Sequence, residues 1–255
     1  MVLCAIGDSF TYIDNHLEES DYRISRGYVH RLADKLPCEC EIKNVSINGG
    51  RTIDFLSLDF PKADIYTILL GTNDWHFSSY PLGSKDDFIK ANPISTLGSL
   101  GFIIKKIKEI SSGAKIYLAN PTERGRFVYI FDYDNNALGS DFPNDNGVML
   151  VEYADAIKEC ASICPDVYLV NLHDETGFRP ENMMNFFLVK EKCELKKLSY
   201  EEYRDYPVSK ALEVYPYPLE SIALGSDGLH PSDKGYEIIA SIFARVILDT
   251  YKFKK

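Results

Sequence analysis

Ser9, His230 and Asp227 are a hydroxyl, an imidazole and a carboxylate, the three groups that together make a nucleophile, its base and the base's orienting partner. Ser9 stands in "GDSF", directly after the apolar run 2–6. Asp227 and His230 stand three residues apart in "DGLHPSDKGY", just before the last helical pattern. Two further fragments supply donors for a developing oxyanion. "NVSINGGRT" brings the Gly49 backbone N–H and "GTND" the Asn73 side-chain amide, and the Ser9 N–H is a third. Singly, each fragment has an ordinary explanation: a turn, a strand end, a helix cap, a surface histidine. Together they supply every part of an acyl-transfer site.

Such groups must be brought together by elements far apart in sequence. Five short apolar runs, 2–6, 41–45, 65–70, 115–119 and 167–170, are mostly continuous, as strands covered on both faces are. Between them, 28–36, 97–110, 148–163 and 236–251 carry apolar residues at i, i+3, i+4 spacing. The alternation predicts one parallel sheet with helices on both sides. Ligands in such sheets bind beyond the carboxyl ends of the strands, where the direction of winding switches. GDSF, INGG and GTND each follow a strand. Residues 121–147, rich in turn-forming types, and the longer excursion 172–226, expected to be partly helical, exceed a minimal unit.

The four blocks resemble those of the GDSL, or SGNH, hydrolases, whose namesake Ser, Gly, Asn and His match Ser9, Gly49, Asn73 and His230 in order and spacing from residue 7 to residue 236. Phe10 stands where the family has Leu. The resemblance implies a flavodoxin-like three-layer α/β/α sandwich with a five-stranded, mostly parallel sheet, filling 1–255 as one domain with insertions at 121–147 and 172–226. It implies metal-free, cofactor-free hydrolysis of carboxylic esters, short-acyl or acetyl esters of carbohydrates or lipids among them, through an acyl-enzyme. Ser9, Asp227 and His230 are then catalytic, and Ser9, Gly49 and Asn73 form the oxyanion hole. Glycine at 49 is expected to allow close approach of its N–H. An acyltransferase with the same residues, and a module whose GDSFT turn cradles a phosphate, are the alternatives. Trp75, Arg124 and Arg126 are candidate substrate-binding residues, with ion pairing on an acidic surface the competing role for the arginines.

A net charge of −10 over 255 residues and a pI of about 5.0 argue against a nucleic-acid partner. No apolar run reaches the roughly 20 residues that span a bilayer. No leader precedes the first strand, so the expected location is cytoplasmic, or periplasmic or secreted if a leader has been removed. The six cysteines lack CxxC pairing and are expected to be reduced structural thiols. The tyrosines at 200, 203, 206, 215 and 217 are expected either to fasten the excursion to the body or, with Met183 and Met184, to wall the substrate pocket.

Overall fold

The computed structural model describes residues 1–127, 138–192, 194–206 and 217–253. Strands β1 (Val2–Gly7), β2 (Glu41–Ser46), β3 (Ile65–Leu69), β4 (Lys115–Ala119) and β5 (Val167–Val170) form one sheet in the order β2-β1-β3-β4-β5. Every pairing in it is parallel. Strand residues alternate between two cores, as the two-residue period requires. Leu3 and Ala5 of β1, Ile65 and Leu69 of β3, and Tyr117 and Ala119 of β4 face one. Cys4, Ile6, Tyr66, Ile68, Ile116 and Leu118 face the other.

The first core is closed by helices α2 (Tyr28–Lys35) and α9 (Asp233–Thr250), through Tyr28, Val29, Leu32, Ile239, Phe243 and Ile247. The second is closed by α5 (Thr96–Ile110) and α6 (Leu150–Ile163), through Leu97, Leu100, Ile103, Ile107 and Ile157. Each fully buried Leu, Ile or Phe contributes about 1.5–3 kcal/mol of transfer free energy, so these stripes anchor the layers. Ser95 and Ser232 cap α5 and α9, accepting from the N–H groups of Gly98 and Gly235. The chain leaves β1 over the α2 face. It later leaves β3 over the α5 face. The switch therefore lies between β1 and β3, with the short helices α1 (Ser9–Tyr12) and α3 (Thr72–Phe77) starting there.

The excursion is partly helical, as expected, and also contains a hairpin that was not expected. It holds short helices α7 (Leu172–Glu175) and α8 (Tyr200–Tyr203), but its centre is an antiparallel hairpin of β6 (Phe187–Glu191) and β7 (Glu194–Leu198). Tyr200, Tyr203 and Tyr217 join Met184, Phe187, Val189 and Leu198 in a small core of their own, with Tyr206 packed on it. Tyr203 stacks on Phe187 at 4.1 Å between ring centroids. Tyr215 lies outside the described residues. Helix α4 (Lys85–Lys90) packs beside α5. Cys4, Cys38, Cys40, Cys160 and Cys164 are free thiols, and Cys193 lies outside the described residues. Among the described residues, no helix is long and apolar enough to cross a membrane.

Candidate active site

Gly7, the last residue of β1, is held by close packing. A Cβ there would lie 2.0 Å from Thr11 Oγ1 and 3.0 Å from the Leu69 carbonyl oxygen of β3. The chain then turns, and Asp8 caps α1 by accepting from the Phe10 N–H at 3.1 Å. Ser9 is thereby set at the first position of α1, at the mouth of the β1/β3 crevice.

His230 reaches it from the loop before α9. Its Nε2 lies 3.1 Å from Ser9 Oγ, and its Nδ1 lies 2.7 Å from Asp227 Oδ2. The other oxygen of Asp227 accepts from the backbone N–H groups of Leu229 and His230, at 3.0 and 2.7 Å. The carboxylate is thus fixed by the turn it belongs to, and the imidazole by the carboxylate. Phe10 and Phe127 flank the imidazole at 6.0 and 5.2 Å between centroids. Burial alone pulls the His230 pKa down. The charge and hydrogen bond of Asp227, with Asp8 behind, more than reverse this and hold it above the ordinary 6.5.

Asn73, on α3, directs its amide Nδ2 toward Asp8 Oδ2 at 3.3 Å and the Gly50 carbonyl oxygen at 3.2 Å. Both contacts are long, so neither holds the amide strongly. Gly49 has a φ of +69°, and a Cβ there would meet no protein atom within 4 Å. Within the folded chain, then, glycine is favoured at 49 by the left-handed backbone, and protein atoms do not crowd it. Among the described residues neither the Ser9 nor the Gly49 N–H donates to a protein acceptor. Both residues, with Asn73, His230, Asn48, His76, Phe77, Arg124, Phe127 and Leu229, line one small cavity of about 70 Å³.

The candidate binding residues divide. Arg124, buried in the segment after β4, reaches the cavity wall. Trp75 does not line the cavity: it is buried beneath Arg124, with the guanidinium 4.9 Å from its ring, and its Nε1 donates to the Val148 carbonyl. Arg126 does not line it either. Its Nη1 donates to the carbonyls of Tyr203 and Tyr206, at 2.8 and 2.6 Å, tying α8 to the body. Among the described residues, none of 172–226 lines the cavity, and Arg126 joins α8 of the excursion to the segment behind the wall. Phe127 and Phe77 were not singled out by sequence reasoning. Phe77 stands one residue past His76 and could have been reached by extending the Asn73 block; Phe127 carries no local signal. No group of three His, Cys, Asp or Glu able to hold a metal occurs among the described residues.

A parallel α/β sheet carries a hydrogen-bonded Ser–His–Asp line at its switch point, the arrangement of an acyl-transfer site. The chain belongs to the GDSL-like Lipase/Acylhydrolase family, whose model matches residues 5–187, a family of ester-bond hydrolases in which a catalytic triad and an oxyanion hole are general features. A possible lipase from Chitinophaga pinensis is 37% identical and superposes with a TM-score of 0.89, over 97% of this chain and 98% of that one. The lipase/acylhydrolase from Enterococcus faecalis (15% identity, TM-score 0.51, 100% of both chains) and the acetyl xylan esterase AlAXEase (17%, 0.50, 97% and 100%) share the fold. No curated protein matches the chain.

Proposed function

We propose that this chain is a serine hydrolase of short-acyl carboxylic esters, acting through an acyl-enzyme on Ser9. The observation that carries the reading is the continuous line Ser9 Oγ–His230 Nε2–His230 Nδ1–Asp227, at 3.1 and 2.7 Å. With Nδ1–H donated to Asp227, Nε2 is the free base facing the hydroxyl. As Oγ attacks the carbonyl carbon, Nε2 takes its proton, and the carbonyl π pair becomes an oxyanion. Collapse expels the alcohol, which leaves with that proton. Water then repeats the sequence against acyl-Ser9 and frees the acid.

The oxyanion would be met by the N–H groups of Ser9 and Gly49 and by the Asn73 amide. That amide must release one of its two long contacts, to Asp8 or to Gly50, to do so. The small cavity, about 70 Å³, supports a short acyl group. The phosphate-cradle alternative is disfavoured because Ser9 Oγ is engaged by His230 and α1 is only four residues long.

A fluorophosphonate probe should label Ser9, and 4-nitrophenyl acetate or butyrate should be turned over faster than the octanoate. Ser9→Ala should lose labelling and several orders of magnitude of turnover while keeping its circular dichroism spectrum. Wild-type turnover by folded Ser9→Ala would overturn the proposal.

A further inference from the structure

Hydrolysis of a neutral ester gives the one arginine in the cavity wall, among the described residues, no task. Arg124 is 1% exposed. It is held firmly: its N–H donates to Ser140 Oγ at 3.1 Å, its carbonyl accepts from the Ser140 N–H at 3.0 Å, and its guanidinium lies over Trp75. One nitrogen, Nη2, donates to the Leu138 carbonyl at 3.0 Å. That bond uses one of the five N–H donors of a guanidinium. Among the described residues no carboxylate pairs with Arg124, and its Nε is buried without a hydrogen-bond partner.

Among the described residues, Asp8, Asp227 and Glu123 are committed elsewhere. Asp8 accepts from Phe10 and Asn73, Asp227 from His230, and the neighbouring Glu123 pairs with Arg179 at 3.0 Å. Burial pulls the Arg124 pKa down to about 10, so the side chain is still a cation at neutral pH. A desolvated cation with no carboxylate partner among the described residues is costly to keep. Anchoring Leu138 needs only a neutral donor. A fixed fork of donors facing a cavity suits an anion with paired oxygens.

We propose that Arg124 is an anion subsite, so that the ester taken at Ser9 carries a carboxylate or phosphate close to its scissile carbonyl. The inference rests on the hydrolase reading of the same cavity and names its substrate class. The charge sits on the acyl side or on the alcohol side, and matched probes separate the two.

The test compares kcat/KM within pairs. Mono(4-nitrophenyl) succinate against 4-nitrophenyl butyrate places a carboxylate on the acyl side. 4-Acetoxybenzoate against its methyl ester places one on the alcohol side, and 4-acetoxyphenyl phosphate against phenyl acetate places a phosphate there. At least one anionic member should be favoured by about 10- to 100-fold, the range for a charge-assisted contact. The preference should vanish in Arg124→Gln and survive in part in Arg124→Lys. Should the Gln variant fail to fold, the wild-type ratios and the Lys variant decide. Ser9-dependent turnover with the neutral member equal or better in every pair would overturn the anion subsite and leave the hydrolase standing. If no ester is turned over, calorimetric binding of the same pairs to Ser9→Ala protein decides. Tighter binding of an anionic member keeps the subsite while the hydrolase falls, and equal binding overturns the subsite too.

Discussion

Asp74 accepts both the backbone N–H of Thr52, at 3.1 and 3.2 Å to its two oxygens, and the Thr52 hydroxyl, at 2.6 Å. Thr52 follows the Gly49-Gly50 turn by two residues, and Asp74 follows Asn73 by one. The buried carboxylate thus clamps the two blocks that carry Gly49 and Asn73, the proposed oxyanion donors, to each other, with Thr96 Oγ1 as a further donor at 3.3 Å. Burial raises the Asp74 pKa, and the Thr52 bonds counter it.

Asp74→Ala should therefore act on two measurable quantities. Losing an acceptor for buried donors costs roughly 1–3 kcal/mol, read by denaturant unfolding. The loss of register between Gly49 and Asn73 should lower kcat more than it changes KM. An Asp74→Ala enzyme with wild-type kcat would show that the clamp serves stability alone.

Asn73→Ala should lower kcat by about 10²–10³-fold with little change in KM, because the amide acts on charge that develops only after binding. A large rise in KM at unchanged kcat would make Asn73 a ground-state binding group instead.

The parts of this site differ in how far they could be read beforehand. Ser9, Gly49, Asn73 and His230 lie in short blocks beside strand ends or before a helix, so apolar runs and turn residues were enough to place them at one edge of the sheet. The hairpin 187–198 was not legible. Glu194, Leu195, Lys196 and Lys197 are exposed on β7, so no buried face printed a period of two on the sequence. Arg124 was a candidate from its place after β4, but its burial was not legible, because its inward turn is set by Trp75 beneath it and by Ser140, sixteen residues on. For Gly49 the residue was legible and its backbone was not: the φ of +69° is a property of the turn that composition does not carry.

The pH dependence of kcat/KM should have an acid limb above 6.5. Catalysis needs neutral His230, whose pKa in the fold is raised, so rate is lost as pH falls through that raised value. Asp227→Asn removes the charge that raises it. That variant should move the limb downward and lower kcat by roughly 10³–10⁴-fold, through loss of the tautomer that faces Ser9. An unshifted limb would assign the titration to another group.

Asp8 contributes a stability term of its own. Burial raises its pKa from 3.8 to about 7, against the lowering effects of the Phe10 N–H and His230. The folded chain then holds a proton that the unfolded chain releases across that window, so stability falls as pH rises through it. Asn at position 8 cannot ionise. The Tm difference between Asp8→Asn and wild type should turn toward the variant from about pH 5 to about pH 8. A difference independent of pH would mean that Asp8 does not titrate there.

Arg126 offers the last test, on the brace behind the cavity wall. Its guanidinium lies over the Tyr203 ring at 5.1 Å, and its Nη1 is the donor to the Tyr203 and Tyr206 carbonyls at the end of α8. Removing it deprives two carbonyls of a charged donor, at roughly 1.5–3 kcal/mol for a charged hydrogen bond. The penalty should fall locally, because the small core of Phe187, Tyr200, Tyr203 and Tyr217 is separate from the two main cores. Arg126→Ala should therefore speed amide exchange in β6, β7 and α8, with the β1 and β3 amides changed far less. Arg126→Lys, which keeps a cationic donor on a flexible stem, should restore protection in part. Exchange accelerated equally in β3 and in β6 would show that the excursion unfolds with the body, and the local brace would be wrong.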